Sequence, residues 1–156
     1  MGSSAGASGA RPADWIRAYN DAWSSHDPES VLGFMSDDVV YTDVTLGERL
    51  EGKSAVREYV AGLERNFSSD YRMEWGQSVA TDEAFATEWT MSGTHDRGDE
   101  ERGLPATGQR FQVSGVSIGR RRDGKVVEER NYWNMADFLT QVGLMPAPEE
   151  AGTPTG

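Results

Sequence analysis

The chain has 156 residues, enough for one domain with a real core and too few for two comfortable ones. Its formal charge of −11 argues against nucleic acid and against an anionic membrane surface, and the absence of cysteine excludes a disulfide frame and a thiolate site. No run approaches the ~20 apolar residues of a membrane span, and residues 1–10 lack the basic and apolar blocks of a signal peptide, so a soluble, cytoplasmic chain is expected.

Residues 1–11 are rich in Gly, Ala and Ser, and residues 147–156 in Pro, Gly and Glu. Both are expected to be disordered tails. Residues 12–146 then form one domain with no internal repeat. Trp15, Ile16, Tyr19, Ala22 and Trp23 recur at helical spacing behind Pro12, which suits a first turn. Pro28 starts a second short helix through Val31, Leu32 and Met35. A strand is expected over residues 39–44, then a loop over 46–52. Ser54 reads as the N-cap of a third helix carrying Val56, Tyr59, Val60 and Leu63 on one face.

After Asp70 the period changes from 3.6 to 2. Long antiparallel strands are expected over residues 71–79 and 83–95, joined by the turn Thr81-Asp82. Residues 96–107 are charged and glycine-rich, hence a loop. Another strand is expected over 111–119, followed by Arg120-Arg121-Arg122 as a solvated loop edge. Asp123-Gly124 then closes a hairpin. The last strand carries four consecutive polar residues, Glu128, Glu129, Arg130 and Asn131, beside Tyr132 and Trp133. A short amphipathic helix follows, stopped by Gly143 and Pro146. Helices followed by a run of antiparallel strands make an α+β plan.

The ordered set of motifs is specific where no single one is. It runs through Tyr19-Asn20 with Trp23, His26-Asp27-Pro28, Asp38-Val39-Val40-Tyr41, Gly52-Lys53 and Gly93-Thr94-His95. It continues with Gly108-Gln109-Arg110, the Asp123-Gly124-Lys125 turn, Tyr132-Trp133-Asn134, and Gln141-Val142-Gly143-Leu144. In this order the sequence resembles the SnoaL-like polyketide cyclases of the NTF2-like superfamily. The resemblance implies an NTF2-like cone, in which a curved mixed or antiparallel sheet wraps around three N-terminal helices. It also implies a homodimer formed through the outer sheet face.

Candidate chemistry is metal-free acid–base work, since His26 and His95 lie far apart without metal-ligand spacing. His95 ends a strand, and an imidazole near its reference pKa of ~6.5 can both give and take a proton. His26, in an interhelix turn, reads as structural. Tyr41 and Asp43 share one strand face. On the last strand Glu128, Arg130, Tyr132 and Asn134 have one parity, and Glu129, Asn131 and Trp133 the other. One of these sets is expected to face the interior. Trp89, Arg130, Tyr132, Trp133 and Tyr41 are the candidate substrate contacts.

Counting back from Gln141-Val142-Gly143, Asn134 falls where the resemblance places an acid–base aspartate. An amide neither gains nor loses a proton near neutral pH. Asn134 is therefore expected to hold a substrate oxygen while His95, Asp43 or Glu129 moves the proton. Asp137 reads as an exposed or capping acid. The function expected is a cyclase or isomerase, without cofactor or metal, acting on a polyketide-like or aromatic natural-product intermediate. Epoxide opening, by hydrolysis or ring closure, is an alternative on the same fold. A non-catalytic small-molecule-binding module is the other.

Overall fold

The computed structural model describes residues 12–146; both expected tails lie outside them. Helix α1 (Pro12–Ser24) buries Ile16, Tyr19, Ala22 and Trp23 along one stripe, as their three- and four-residue spacing dictates. Asp27 caps the five-residue α2 (Pro28–Leu32) by accepting from the backbone of Glu29. The helix stops at Leu32, short of the expected Met35, which begins strand β1 (Met35–Asp43) instead.

Strand β2 (Glu48–Glu51) lies inside the stretch read as a loop and pairs antiparallel with β1. Its sequence, Glu-Arg-Leu-Glu, has one apolar residue, as suits an edge strand held mostly by its backbone ladder. Helix α3 (Lys53–Asn66) buries Val56 and Val60, but its cap is Gly52 at φ 87° and not the expected Ser54. That left-handed backbone is open to glycine, and no side chain caps the helix.

Strands β3 (Arg72–Ala80), β4 (Ala84–Thr94), β5 (Arg110–Arg122) and β6 (Lys125–Trp133) follow, and helix α4 (Met135–Gln141) closes the domain. The β5–β6 hairpin turns at Asp123 and Gly124, with φ 53° and 77°, the double left-handed geometry of a tight two-residue turn. The arginine run at 120–122 belongs to β5 and is not a loop edge. The Arg121 guanidinium lies 3.9 Å from the Trp15 ring centroid, so Arg121 roofs this ring of α1.

The sheet order is β2-β1-β6-β5-β4-β3. The β1–β6 pair is parallel and every other pair antiparallel, which makes the sheet mixed. Two buried clusters fill the cone. One joins α1, α2 and α3 to β1 and Phe85; the other joins Tyr71, Trp89, Met91, Phe111 and Val113 to Phe138 and Val142 at the C-terminal end. Among the described residues no helix is long and apolar enough to cross a membrane.

Candidate functional site

A cavity of about 770 Å³ opens between the helices and the concave face of the sheet, walled by rings of both clusters. Three adjacent cross-strand rows form its floor. Tyr41, Glu129, Gly119, Phe85 and Ala80 face one another across β1, β6, β5, β4 and β3. Two residues along, Asp43, Asn131, Ser117, Thr87 and Ser78 make the second row. The third is Trp133, Gly115, Trp89 and Trp75. Side chains two apart on a strand share a face, so all three rows point the same way. An irregularity in β3 between Trp75 and Ser78 keeps that strand in step.

The two glycines make room for the rings opposite them. A Cβ on Gly119 would stand 2.3 Å from the Phe85 ring and 2.7 Å from the Glu128 carbonyl oxygen. On Gly115 it would stand 2.4 Å from the Trp89 ring and 2.6 Å from the Tyr132 carbonyl oxygen. Phe85 and Trp89 thus lie across β5 and narrow the floor to its polar residues.

Glu129 is 2 % exposed, and Tyr19 of α1 donates to its Oε1 at 2.6 Å. Burial pushes the Glu129 carboxyl up to about 7, with the Tyr19 hydrogen bond working against the shift. Burial also raises the Tyr19 phenol well above its ordinary value, helped by the Glu129 charge. Asp43, 1 % exposed, is held differently. Its oxygens accept from the Tyr59 hydroxyl at 2.9 Å, the Trp133 indole at 3.1 Å and 3.2 Å, and the Leu46 backbone at 3.0 Å. Burial, then the Asp43 charge, raise Tyr59.

A chain of hydrogen bonds crosses the second row. The Trp89 indole donates to Ser117 Oγ at 3.0 Å, Ser117 to Asn131 Oδ1 at 2.5 Å, and the Asn131 amide to the Tyr41 hydroxyl. An indole N–H can only donate, so the first bond has a fixed direction. With its oxygen accepting from Asn131, Tyr41 directs its own proton elsewhere, to the neighbouring Tyr59 hydroxyl or to an oxygen bound in the cavity. Burial raises the Tyr41 phenol strongly, which keeps that proton in place at neutral pH.

The mouth is acidic. Arg102 of the 96–109 loop bridges Asp99 in the same loop and Glu48 of β2, tying the loop over the opening. Gly98 and residues 99–102 line the cavity, and backbone bonds between Asp99 and Leu104 at 2.8 Å and 2.9 Å fold the loop on itself.

Of the residues singled out in the sequence, the structure brings Tyr41, Asp43, Trp89, Glu129 and Trp133 together on the cavity lining. The odd-numbered set of β6 faces inward. Arg130 and Tyr132 have the other parity: Arg130 bonds Glu128 at 3.0 Å and Tyr132 is 39 % exposed. Asn134 is exposed and caps α4, accepting from the Asp137 backbone at 2.9 Å. His95 is 0 % exposed and sits behind the cavity wall between Phe67 and Phe138, with ring centroids at 5.6 Å and 5.3 Å. Its Nδ1 meets Thr107 at 3.1 Å, its Nε2 has no partner among the described residues, and burial holds its pKa below the usual value. His26 stacks on Tyr71 at 3.7 Å and meets the Tyr71 carbonyl through Nε2 at 2.7 Å, in keeping with a structural role.

Sequence reasoning missed Tyr19, Tyr59, Ser117, Asn131 and Arg102. Parity on β6 put Asn131 beside Glu129, but nothing in the sequence reveals that Ser117 and Tyr41 flank it. Among the described residues no three His, Asp or Glu side chains group as metal ligands do.

A cone of this topology with a polar floor and ring-lined walls is the ketosteroid isomerase-like, NTF2-like fold. A protein described with that fold, from Catenulispora acidiphila, aligns at TM-score 0.70 and 16% identity over 83% of this chain and 92% of its own. The SnoaL-like domain matches residues 16–129, and the chain belongs to that family. Among solved structures, a candidate polyketide cyclase from Xanthomonas campestris pv. campestris is 27% identical, with TM-score 0.72, over 86% of this chain and 98% of its own. A second candidate polyketide cyclase, from Pseudomonas putida KT2440, is 28% identical, with TM-score 0.66, over 81% and 93%.

Proposed function

We propose that this protein is a cyclase or isomerase that moves a proton without a cofactor on a ring-bearing, polyketide-like or aromatic natural-product intermediate. One observation carries the reading: a buried carboxyl, Glu129, raised to about 7 and placed on the floor of a ring-walled cavity. A general base or acid works best with a pKa near the operating pH. The related candidate polyketide cyclases support the reaction class.

In this reading Glu129 takes a proton from a carbon next to a carbonyl, and the electron pair moves onto the carbonyl oxygen. The Tyr41 hydroxyl, backed by Asn131 and Ser117, donates to that oxygen as negative charge develops. The nucleophilic carbon then either attacks a second carbonyl, closing a ring, or is protonated at another position. Glu129 returns the proton in both cases. Trp89 and Trp133 flank the substrate, and Asp43 fixes Tyr59 and Trp133 in place.

Replacing Glu129 with Gln tests this. Turnover of a ring-forming or enolisable substrate should fall by about 10²–10⁴-fold, and the rise of rate with pH through about 7 should vanish. Unchanged turnover would remove the proton carrier and the reading with it. The retention of two carboxylates in neighbouring rows gives epoxide opening its own support, with Glu129 as the acid over the epoxide oxygen and Asp43 as the base. An epoxide turned over faster than a ketone of the same skeleton would select it. We also propose a homodimer through the outer sheet face, where Val79, Ile118 and Tyr132 are exposed; light scattering at the monomer mass would refute it.

A further inference from the structure

Asp43 and Glu129 are almost wholly out of water in one cavity, and neither meets a side-chain cation among the described residues. The partners found for them are neutral: Tyr59, Trp133 and the Leu46 backbone for Asp43, and Tyr19 for Glu129. No lysine or histidine is among the described residues that line the cavity. The two arginines that do are already engaged at its mouth. Arg65 bonds Glu58 at 3.2 Å, and Arg102 bonds both Glu48 and Asp99. Glu100 and Glu101 add further negative charge there. Buried charges in proteins are ordinarily paired. The described residues supply no such partner for Asp43 or Glu129.

The walls around the two acids are rich in rings. Tyr41 lies 5.1 Å from Tyr59 and 5.7 Å from Trp23, and Trp23 lies 6.3 Å from Tyr19, centroid to centroid. The faces of such rings attract positive charge, most strongly where water is excluded.

We propose that the compound taken by this cavity carries a positively charged nitrogen on a ring-bearing body, with Asp43 and Glu129 as its counter-ions. This rests on the cavity being the substrate site and adds the charge of the substrate to that reading. A cation beside Glu129 favours its ionised form, so docking itself readies the base. A carboxylate or phosphate ligand would be repelled at the mouth and again at the floor.

Three probes of similar size decide it: benzyltrimethylammonium, its uncharged carbon isostere neopentylbenzene, and phenylacetate. Binding is read from the fluorescence of Trp23, Trp75, Trp89 and Trp133, which all line the cavity. The ammonium should bind at least about tenfold more tightly than the isostere, and phenylacetate more weakly than both. In Glu129→Gln and in Asp43→Asn the ratio of ammonium to isostere should fall to about twofold or less. If Asp43→Asn does not fold, Glu129→Gln decides alone. Equal binding of ammonium and isostere, binding of none of the three, or a preference that survives Glu129→Gln would each overturn the proposal. The last outcome would place the preference away from Glu129, at Asp43 or the acidic mouth. These ratios are measured without turnover, so the binding result and the turnover result in Glu129→Gln are read separately and each can fail without the other.

Discussion

Two carboxylates share the cavity floor, and their neighbours set them apart. Asp43 receives three donors, which occupy its oxygens and tie it to Tyr59 and Trp133. Glu129 receives one hydroxyl in a setting that penalises charge, which pushes its carboxyl up to about 7. The Tyr19 hydrogen bond favours the ionised form and holds the Glu129 pKa down. Removing it with Tyr19→Phe should therefore move the pH–rate midpoint upward, above about 7, while the ring still fills its place in the core. A midpoint that moves downward would contradict the arrangement. Tyr19 illustrates what a residue-level reading loses. Its helical spacing with Trp15 and Trp23 marks it correctly as buried, yet it is the hydroxyl at the far end of the ring that reaches Glu129.

At the scale of elements, most of the architecture is legible because period, turn residues and caps agree. The Asp123-Gly124 turn fixes the β5–β6 hairpin, and that hairpin fixes which residues of β6 face inward. Strand β2 escaped because its pairing is backbone chemistry that a charged four-residue stretch does not advertise. Asn134 shows how position along an element changes meaning. It stands one residue past β6 and begins α4, where its side chain caps the helix and does not enter the cavity. Asn134→Ala should cost about 1 kcal/mol in denaturant unfolding, and Asn134→Asp close to nothing, since both Asn and Asp cap well. Neither should change turnover beyond about twofold; a large gain from Asn134→Asp would show that the residue reaches the substrate after all. On β5 the expected cost is larger. Gly115→Ala puts a methyl group 2.4 Å from the Trp89 ring and 2.6 Å from a backbone oxygen. Such overpacking costs roughly 1–3 kcal/mol and should shift Trp89 fluorescence by pulling its indole off Ser117.

Across the whole molecule, the site was less legible than the fold because it is assembled by register between strands distant in sequence. Glu129 and Asp43 could be named from one strand at a time, but the row that sets Asn131 between Asp43 and Ser117 needs three strands in place at once. His95 was misjudged for the same reason. It stands one residue past the end of β4, and Phe67 and Phe138 pack over it, leaving it outside the cavity. Both buried groups also tie folding to pH, in opposite senses. His95 has a depressed pKa, so the unfolded chain takes its proton more readily, and its contribution to stability is lost as pH falls below about 6.5. Glu129 has a raised pKa, so the folded chain keeps its proton longer. Its contribution is therefore full below about 4.5 and is lost as pH rises through about 7. Gln in its place is neutral at every pH. Glu129→Gln should thus match the parent protein's stability near pH 4.5 and exceed it progressively up to pH 7, reaching on the order of 3 kcal/mol on a plateau above. Urea titrations of both proteins at several pH values measure that difference directly. A difference that is flat with pH, or that grows toward acid, would mean that Glu129 is ionised in the folded cavity across the whole range.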